Sequence, residues 1–272
     1  VLPSSPNDAK FLTPDERLAC VWRIAVNQTG VKHSKFMKHQ ALEALRDPRV
    51  HLLLVQQFAV GFLNGAISNY FSAFLRGFGW SSMDAVLYQL PIGAVQIVTT
   101  VLAGFLASRI RNSTFIILLA VTVFPLAALI GWSTIPSSEK MALTACSWII
   151  APYSAAVILN WSIVAANFAG HTKRTIMNAI NFAAFYAGNF AGPFVFDPVE
   201  APRYPTATKI LGGMVGLIWV VTAAMGFIMW RANKARDAKA AAGDARYQVS
   251  QGTMFGFTDY TDKENKAFRY RL

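Results

Sequence analysis

Past the first fifty residues, the chain alternates long apolar runs with short polar breaks. The apolar runs lie at about 50–74, 84–107, 113–132, 141–168, 174–195 and 206–230. Each meets or exceeds the roughly 20 residues that a helix needs to cross a bilayer. Buried helices of soluble proteins rarely run so long with so few charges. The pattern therefore predicts an all-α, polytopic membrane protein with six transmembrane helices.

The beginning of the chain reads differently. Residues 1–6 form a Pro/Ser-rich linker. Thr13-Pro14-Asp15-Glu16 is a helix start, with Thr as N-cap, Pro at the first helical position and Glu placed for a capping box. Leu18, Val21, Trp22, Ala25 and Val26 follow at helical spacing, so that helix is amphipathic. Asn27 to Gly30 should end it. A second short polar helix is expected over residues 35–46, and Asp47-Pro48 should cap the first apolar run. The resulting division is a cytosolic segment with amphipathic helices at 1–49, a six-helix bundle at 50–230 and a cytosolic tail at 231–272.

The six runs are of two kinds. The third and sixth are apolar nearly all round. The other four carry polar stripes at helical spacing. Gln57, Gly61, Asn64 and Ser68 share a face of the first. Gln89, Gly93, Gln96 and Thr100 share one of the second. Tyr153, Asn160 and Asn167 recur every two turns in the fourth. Asn178, Asn181, Phe185, Asn189 and Gly192 align in the fifth. Striped, striped, apolar, repeated once, suggests two three-helix repeats, at about 50–132 and 141–230. Such repeats build transporter halves around a polar cavity. Any one of these residues can instead glue or space helices. Four stripes together favour a shared water-filled cavity, because an unpaired polar group in an apolar setting costs about 2 kcal/mol or more. The candidate cavity residues are Asn64, Ser68, Gln89, Gln96, Tyr153, Asn160, Asn178, Asn181 and Asn189.

Composition supports lipid as the solvent. Hydrophobic residues make up 54% and charged residues 14% of the chain, against about 25% charged in soluble domains. The net charge of +11 sits in loops and tails beside apolar runs, which points to anionic lipid and topology control and away from nucleic acid. Arg46, Arg49, Arg109, Arg111, Lys173, Arg174, Arg231, Lys234, Arg236 and Lys239 fall on one side. Arg76, Lys140, Arg203 and Lys209 fall on the other, diluted by Asp84, Glu139, Asp197 and Glu200. By the positive-inside rule the first side is cytosolic, and both termini face the cytosol. The Asn27-Gln28-Thr29 sequon would then lie where it is not glycosylated.

Candidate chemistry is sparse. No acid or base lies mid-span; His51 and Asp84 sit near span ends, where interfacial capping is the expected role. No metal-ligand cluster, phosphate loop or nucleophile elbow is present. Cys20 and Cys146 imply no disulfide framework. The reading is of a protein that is not an enzyme and needs no cofactor or metal. Residue 1 is Val, and the chain is expected to begin inside a longer protein.

Specific strings add a resemblance. Gly104-Phe105-Leu106-Ala107-Ser108-Arg109-Ile110-Arg111 resembles the loop signature of the major facilitator superfamily, with Ser108 where that family has an Asp. Gly104, Arg109 and Arg111 are the matching positions, and the Asp role is not carried over. Phe11-Leu12-Thr13 with Glu16-Arg17, Asn27-Gln28-Thr29-Gly30, Asn64-Gly65 with Asn69, Gly77-Phe78-Gly79, and Gln89-Leu90-Pro91-Ile92-Gly93-Ala94 resemble the fungal allantoate permease family of anion:cation symporters. Asn167, Ala169-Gly170-His171-Thr172-Lys173-Arg174, Asn178-Ala179-Ile180, Gly188-Asn189 and Gly192-Pro193 continue the likeness. So do Ala201-Pro202-Arg203-Tyr204, Thr261-Asp262-Lys263-Glu264-Asn265 and Phe268-Arg269-Tyr270. The resemblance implies the carboxy-terminal half of a twelve-helix, plasma-membrane carrier. Such carriers work by alternating access and take up small organic anions of the allantoate, nicotinate or pantothenate type, with protons. The partners implied are that solute, protons, membrane lipid and an amino-terminal half of the same carrier. The competing reading is a truncated, non-transporting membrane protein or a substrate-sensing remnant.

Overall fold

The computed structural model describes residues 9–26, 36–201, 203–248 and 258–272. Their order is α1 (Pro14–Val26), α2 (Lys38–Arg46), α3 (Pro48–Gly77), α4 (Ser82–Leu87), α5 (Leu90–Arg109), α6 (Thr114–Thr134), α7 (Lys140–Ile149), α8 (Tyr153–Asn167), α9 (His171–Ala191) and α10 (Pro205–Ala241). There is no strand among the described residues. In lipid, only a helix satisfies its own backbone polar groups within one segment, and long apolar runs commit the chain to that solution. The expected linker at 1–6, the stop at Asn27–Gly30 with its sequon, Lys35 at the edge of the second helix, and Pro202 lie outside the described residues.

Five elements are long and apolar enough to cross a membrane: Pro48–Gly77, Ser82–Arg109, Thr114–Thr134, Lys140–Asn167 and Pro205–Ala241. These match five of the six expected spans. The remaining run is also helical, α9, and its 21 residues reach about 31 Å at 1.5 Å per residue. It falls short on composition, because Lys173, Arg174, Asn178, Asn181 and Asn189 all lie on it. Two of the five are broken helices. Pro91 and Pro152 lack a backbone N–H, so the ladder cannot run through them. The second apolar run divides into α4 and α5, and the fourth into α7 and α8.

The start of α1 is the expected capping box. The Thr13 N–H donates to Glu16 Oε2 at 2.9 Å, and the Glu16 N–H donates back to Thr13 Oγ1 at 3.4 Å. These bonds from Thr13 hold the Glu16 carboxyl below its ordinary range. Leu18 and Trp22 are exposed on this helix. Ser81 caps α4 in the same way: its hydroxyl bonds the Asp84 carboxylate at 2.7 Å and accepts from the Asp84 N–H at 3.1 Å. Asp84 thus has the capping role expected of it.

The chain forms two compact units. The larger comprises Pro48–Ile163 and Ala179–Ile228, with Leu272. Its axis is a glycine-mediated contact between α3 and α9. A Cβ at Gly61 would overlap the Phe185 carbonyl, and one at Gly65 the backbone of Asn189. In return, Gly188 and Gly192 meet the carbonyls of Phe58 and Phe62. Residues 61 and 65 match 185 and 189 in the same order, so the two helices run parallel. Small residues at these positions let the backbones touch, the usual device where lipid gives no hydrophobic drive between helices. Elsewhere Gln56 Nε2 bonds Thr222 Oγ1 at 2.8 Å, tying α3 to α10, and Trp219 Nε1 bonds Thr122 Oγ1 at 2.8 Å, tying α10 to α6. An aromatic cluster closes one end, with Phe74 stacked on Trp132 at 4.3 Å and Tyr70 on Phe196 at 4.0 Å.

The smaller unit comprises Val1–Asp47, Val164–Asn178 and Met229–Arg271. Its centre is Lys173, whose side chain is wholly buried. The ammonium meets Glu43 at 2.7 Å, Asp47 at 3.3 Å and Asp262 at 2.7 Å, over the Phe168 ring at 5.6 Å. Lys263 adds a second contact to Asp47, at 3.2 Å. Asp47, expected to cap α3, therefore has its carboxylate committed to two lysines. The tail is not a loose appendage. Tyr270 donates to Asp262 at 2.8 Å, Arg236 reaches the Asp262 carbonyl at 2.8 Å, and Asn167 exchanges two bonds with the Arg271 backbone at 3.0 and 2.7 Å. Burial alone would lower the Lys173 pKa, but the three carboxylates outweigh it and hold the group above its ordinary 10.5. A raised pKa means the contribution is complete at neutral pH and is lost only as pH climbs through that raised value.

Two predictions follow from this packing, both checked by thermal unfolding of the full-length protein in detergent. Gly61→Ala or Gly188→Ala forces backbones apart and should destabilise by about 1–3 kcal/mol or more. Gly93→Ala or Gly104→Ala, where a Cβ has nothing within 4 Å, should stay within about 0.5 kcal/mol. Lys173→Met leaves buried carboxylates without their cation and should cost about 3–5 kcal/mol. The paired change Lys173→Met with Asp262→Leu should recover part of that loss.

Candidate functional site

Within the larger unit, α3, α5, α8 and α9 border an open cavity of about 620 Å³. Asn64 and Ser68 enter it from α3, Gln96 and Thr100 from α5, Tyr153 and Ser154 from α8, and Phe185 from α9. Ile97, Val101, Val157 and Ile158 complete an apolar wall. No Asp, Glu, His, Lys or Arg lines it, in keeping with spans that carry no mid-span charge. Hydroxyls and carboxamides supply all the polar contacts apart from the backbone.

The helix breaks place several of these groups. At the α4–α5 junction the Ile92 N–H bonds the Gln89 carbonyl at 3.2 Å and leaves the Tyr88 carbonyl without it. Trp148 Nε1, at the end of α7, donates to that Tyr88 carbonyl at 2.8 Å. An unpartnered carbonyl in lipid is costly, and here an indole from the other broken helix supplies its partner. Just past the second break, Tyr153 and Ser154 open α8 and face the cavity. The Tyr153 ring lies on the same lining as Ser68 and Gln96.

Two hydrogen-bond relays order the lining. Asn189 Nδ2 donates to the Phe185 carbonyl at 2.9 Å, and Asn64 Nδ2 donates to Asn189 Oδ1 at 2.6 Å. Ser154 Oγ donates to the Ala151 carbonyl at 3.1 Å, and Thr100 Oγ1 lies 3.3 Å from Ser154 Oγ.

Of the nine residues expected in a cavity, the structure brings Asn64, Ser68, Gln96 and Tyr153 together on one lining. Asn189 stands behind Asn64 as its hydrogen-bond partner. Gln89 sits at the α4–α5 break, half-buried. Asn160 and Asn181 are buried inside the unit, where both amide atoms of Asn160 and the Asn181 oxygen have no partner among the described residues. Asn178 is exposed and belongs to the smaller unit. Thr100 and Ser154 join the lining although only Thr100 fell on an expected stripe; Ser154, one residue beyond Tyr153, gave no periodic signal. At the loop motif, Arg109 lies over the Phe105 ring at 5.3 Å and Ser108 bonds the Phe105 carbonyl at 2.7 Å. Neither Arg109 nor Arg111 has an acidic partner among the described residues.

The sequence profile of the Major Facilitator Superfamily matches residues 2–193. The chain belongs to the major facilitator superfamily. Among curated relatives of this superfamily member, the allantoate permease of Saccharomyces cerevisiae is 33% identical, over all of this chain and 51% of the relative. An MFS-type transporter of Penicillium expansum is 29% identical over 99% of the chain and 55% of the relative. A thiamine pathway transporter of Saccharomyces cerevisiae is 28% identical over 99% and 50%. The chain spans about half the length of the curated relatives it matches, the proportion expected of the carboxy-terminal half of such a carrier. It is an integral membrane protein of a transporter family.

The link between the two breaks is testable. Trp148→Phe keeps the ring's bulk and removes the N–H. The Tyr88 carbonyl is then orphaned, and the midpoint of thermal unfolding should fall by an amount corresponding to about 1–3 kcal/mol.

Proposed function

We propose that this chain is the carboxy-terminal half of a secondary carrier that moves a small organic anion or vitamin-like nutrient by alternating access, coupled to protons. The cavity of about 620 Å³ between α3, α5, α8 and α9 is the observation that carries this reading. Its size suits a small solute rather than a macromolecule. The family membership and the relatives named allantoate permease and thiamine pathway transporter support solute transport. Because the lining holds no charged side chain, recognition of an anionic group and proton coupling are assigned to the amino-terminal half. On this reading α9 is the fifth span, its polar stripe turned to the cavity and to its neighbours. Both termini are cytosolic, and the membrane is the plasma membrane.

Intramembrane acids and bases are the usual proton carriers, so this half should shape and orient while the other half couples. The altered loop motif, with Ser108 on a backbone carbonyl and no ion pair at Arg109 among the described residues, favours a second reading: a non-transporting remnant that binds or senses the solute.

The test is uptake by the full-length carrier in cells or proteoliposomes, with a labelled panel of carboxylate vitamins and ureides. Gln96→Leu and Tyr153→Phe should each raise KM for the transported solute by about tenfold, the effect of removing one or two hydrogen bonds of about 1–1.5 kcal/mol each. Acidification outside should speed uptake. Binding without uptake would support the remnant; unchanged KM in both variants would remove the cavity from the solute path.

A further inference from the structure

We propose that Gln57, Asn160 and Asn181 form a gate at one end of the cavity: a layer of carboxamides that is shut in this structure and finds hydrogen-bond partners in water when it opens. The proposal rests on the transport reading above and names residues that control release of the solute.

The polar stripes continue past the cavity lining. On α3, Gln57 lies one turn before Gly61 and two before Asn64, on one face of the helix. On α9, Asn181 lies one turn before Phe185. On α8, Asn160 lies one turn after Val157. Asn64, Phe185 and Val157 border the cavity, so the faces that carry the three amides turn toward its axis. α8 ends at Asn167 and α9 begins at His171, while α3 runs parallel to α9. All three amides therefore lie off the same end of the cavity. They also lie at one height. A Cβ at Gly61 would meet the Phe185 carbonyl, and one turn back along each helix stand Gln57 and Asn181. The Trp161 ring is 5.4 Å from that of Phe182 and 6.2 Å from that of Phe185, which brings Asn160 to the same level. On the topology proposed above, this is the cytosolic end.

The layer is shut, with Gln57, Asn160 and Asn181 only 0%, 0% and 2% exposed. Both amide atoms of Gln57, both of Asn160 and the Asn181 oxygen have no hydrogen-bond partner among the described residues. Buried amides elsewhere are bonded: Gln40 to the Asp259 carbonyl at 2.7 Å, and Asn167 to the Arg271 backbone at 3.0 and 2.7 Å. A wall that never opens is better built from apolar side chains of the same bulk. A wall that opens has a use for amides. While it is shut, each unpaired group raises its energy. Once it opens, water bonds those groups. Apolar residues would reverse both effects, packing well when shut and exposing apolar surface when open. The carboxamides thus keep the two states close in energy, as a carrier that visits both in every cycle requires.

The experiment uses the full-length carrier with Gln57→Leu, Asn160→Leu and Asn181→Leu, singly and together. Leucine is close in bulk to these amides and removes the unpaired groups. The midpoint of thermal unfolding should rise by about 2–4 °C for each substitution. For the best-transported solute of the panel above, Vmax in the triple variant should fall at least about fivefold, with KM unchanged or lower, because binding precedes the gate. A third readout needs no solute. With Cys20 and Cys146 replaced by Ser, Asn160→Cys should react with N-ethylmaleimide added to inside-out vesicles. Adding Gln57→Leu and Asn181→Leu should slow that reaction at least about fivefold. A midpoint that falls in every variant would show bonded, structural amides. An unchanged Vmax, or a KM that rises, would place the layer off the exit path. A cysteine that stays unreactive would show a wall that does not open. Each of these results would overturn the gate while leaving transport intact. Uptake of no solute in the panel would instead remove the transport reading, and the gate with it.

Discussion

The larger unit depends on one constraint: α3 and α9 approach until their backbones touch. Four glycines, two near the middle of α3 and two at the end of the α9 segment, leave room for a neighbouring carbonyl where any side chain would intrude. Lipid does not drive helices together as water does, so this contact must be held by close packing and a few polar bonds. Everything nearby inherits its register. Asn64 reaches Asn189 because Gly65 lies against the Asn189 backbone, and Phe185 enters the cavity because Gly61 lies against its carbonyl.

Against this parallel pair, the broken helices provide adjustable geometry. Pro91 and Pro152 free backbone groups that a straight helix would have used. The Trp148 indole recovers the Tyr88 carbonyl, and the Ser154 hydroxyl adds a second bond to the Ala151 carbonyl. The side chains that repair the backbone are neighbours of the side chains that line the cavity. The breaks in the helical ladder thus lie next to the cavity lining.

Much of the fold was legible in the sequence, and the reasons differ by element. Apolar runs gave five spans because hydropathy needs no partner to be read. The polar stripes led to Asn64, Ser68, Gln96 and Tyr153, since helical spacing alone puts them on shared faces. Depth was not legible: Asn160 and Tyr153 share a stripe, yet one is buried within the unit and the other lines the cavity. The helix breaks were masked because the apolar run continues through Pro91 and Pro152. The Lys173 cluster had no local signature at all. Its partners Glu43 and Asp262 stand 130 and 89 residues away in the chain, and each alone resembles an ordinary loop charge.

That last separation bears on how the protein is made. A ribosome delivers Lys173 long before Asp262, so the nascent chain holds a cation with an unfinished set of counter-charges until the tail emerges. Only then can Tyr270 and the Arg271 backbone seat themselves on Asp262 and Asn167. The tail thus closes a charge cluster that Glu43, Asp47 and Lys173 begin much earlier in the chain. Without Asp262, Lys173 would keep Glu43 and Asp47 but lose one of the three carboxylates it meets.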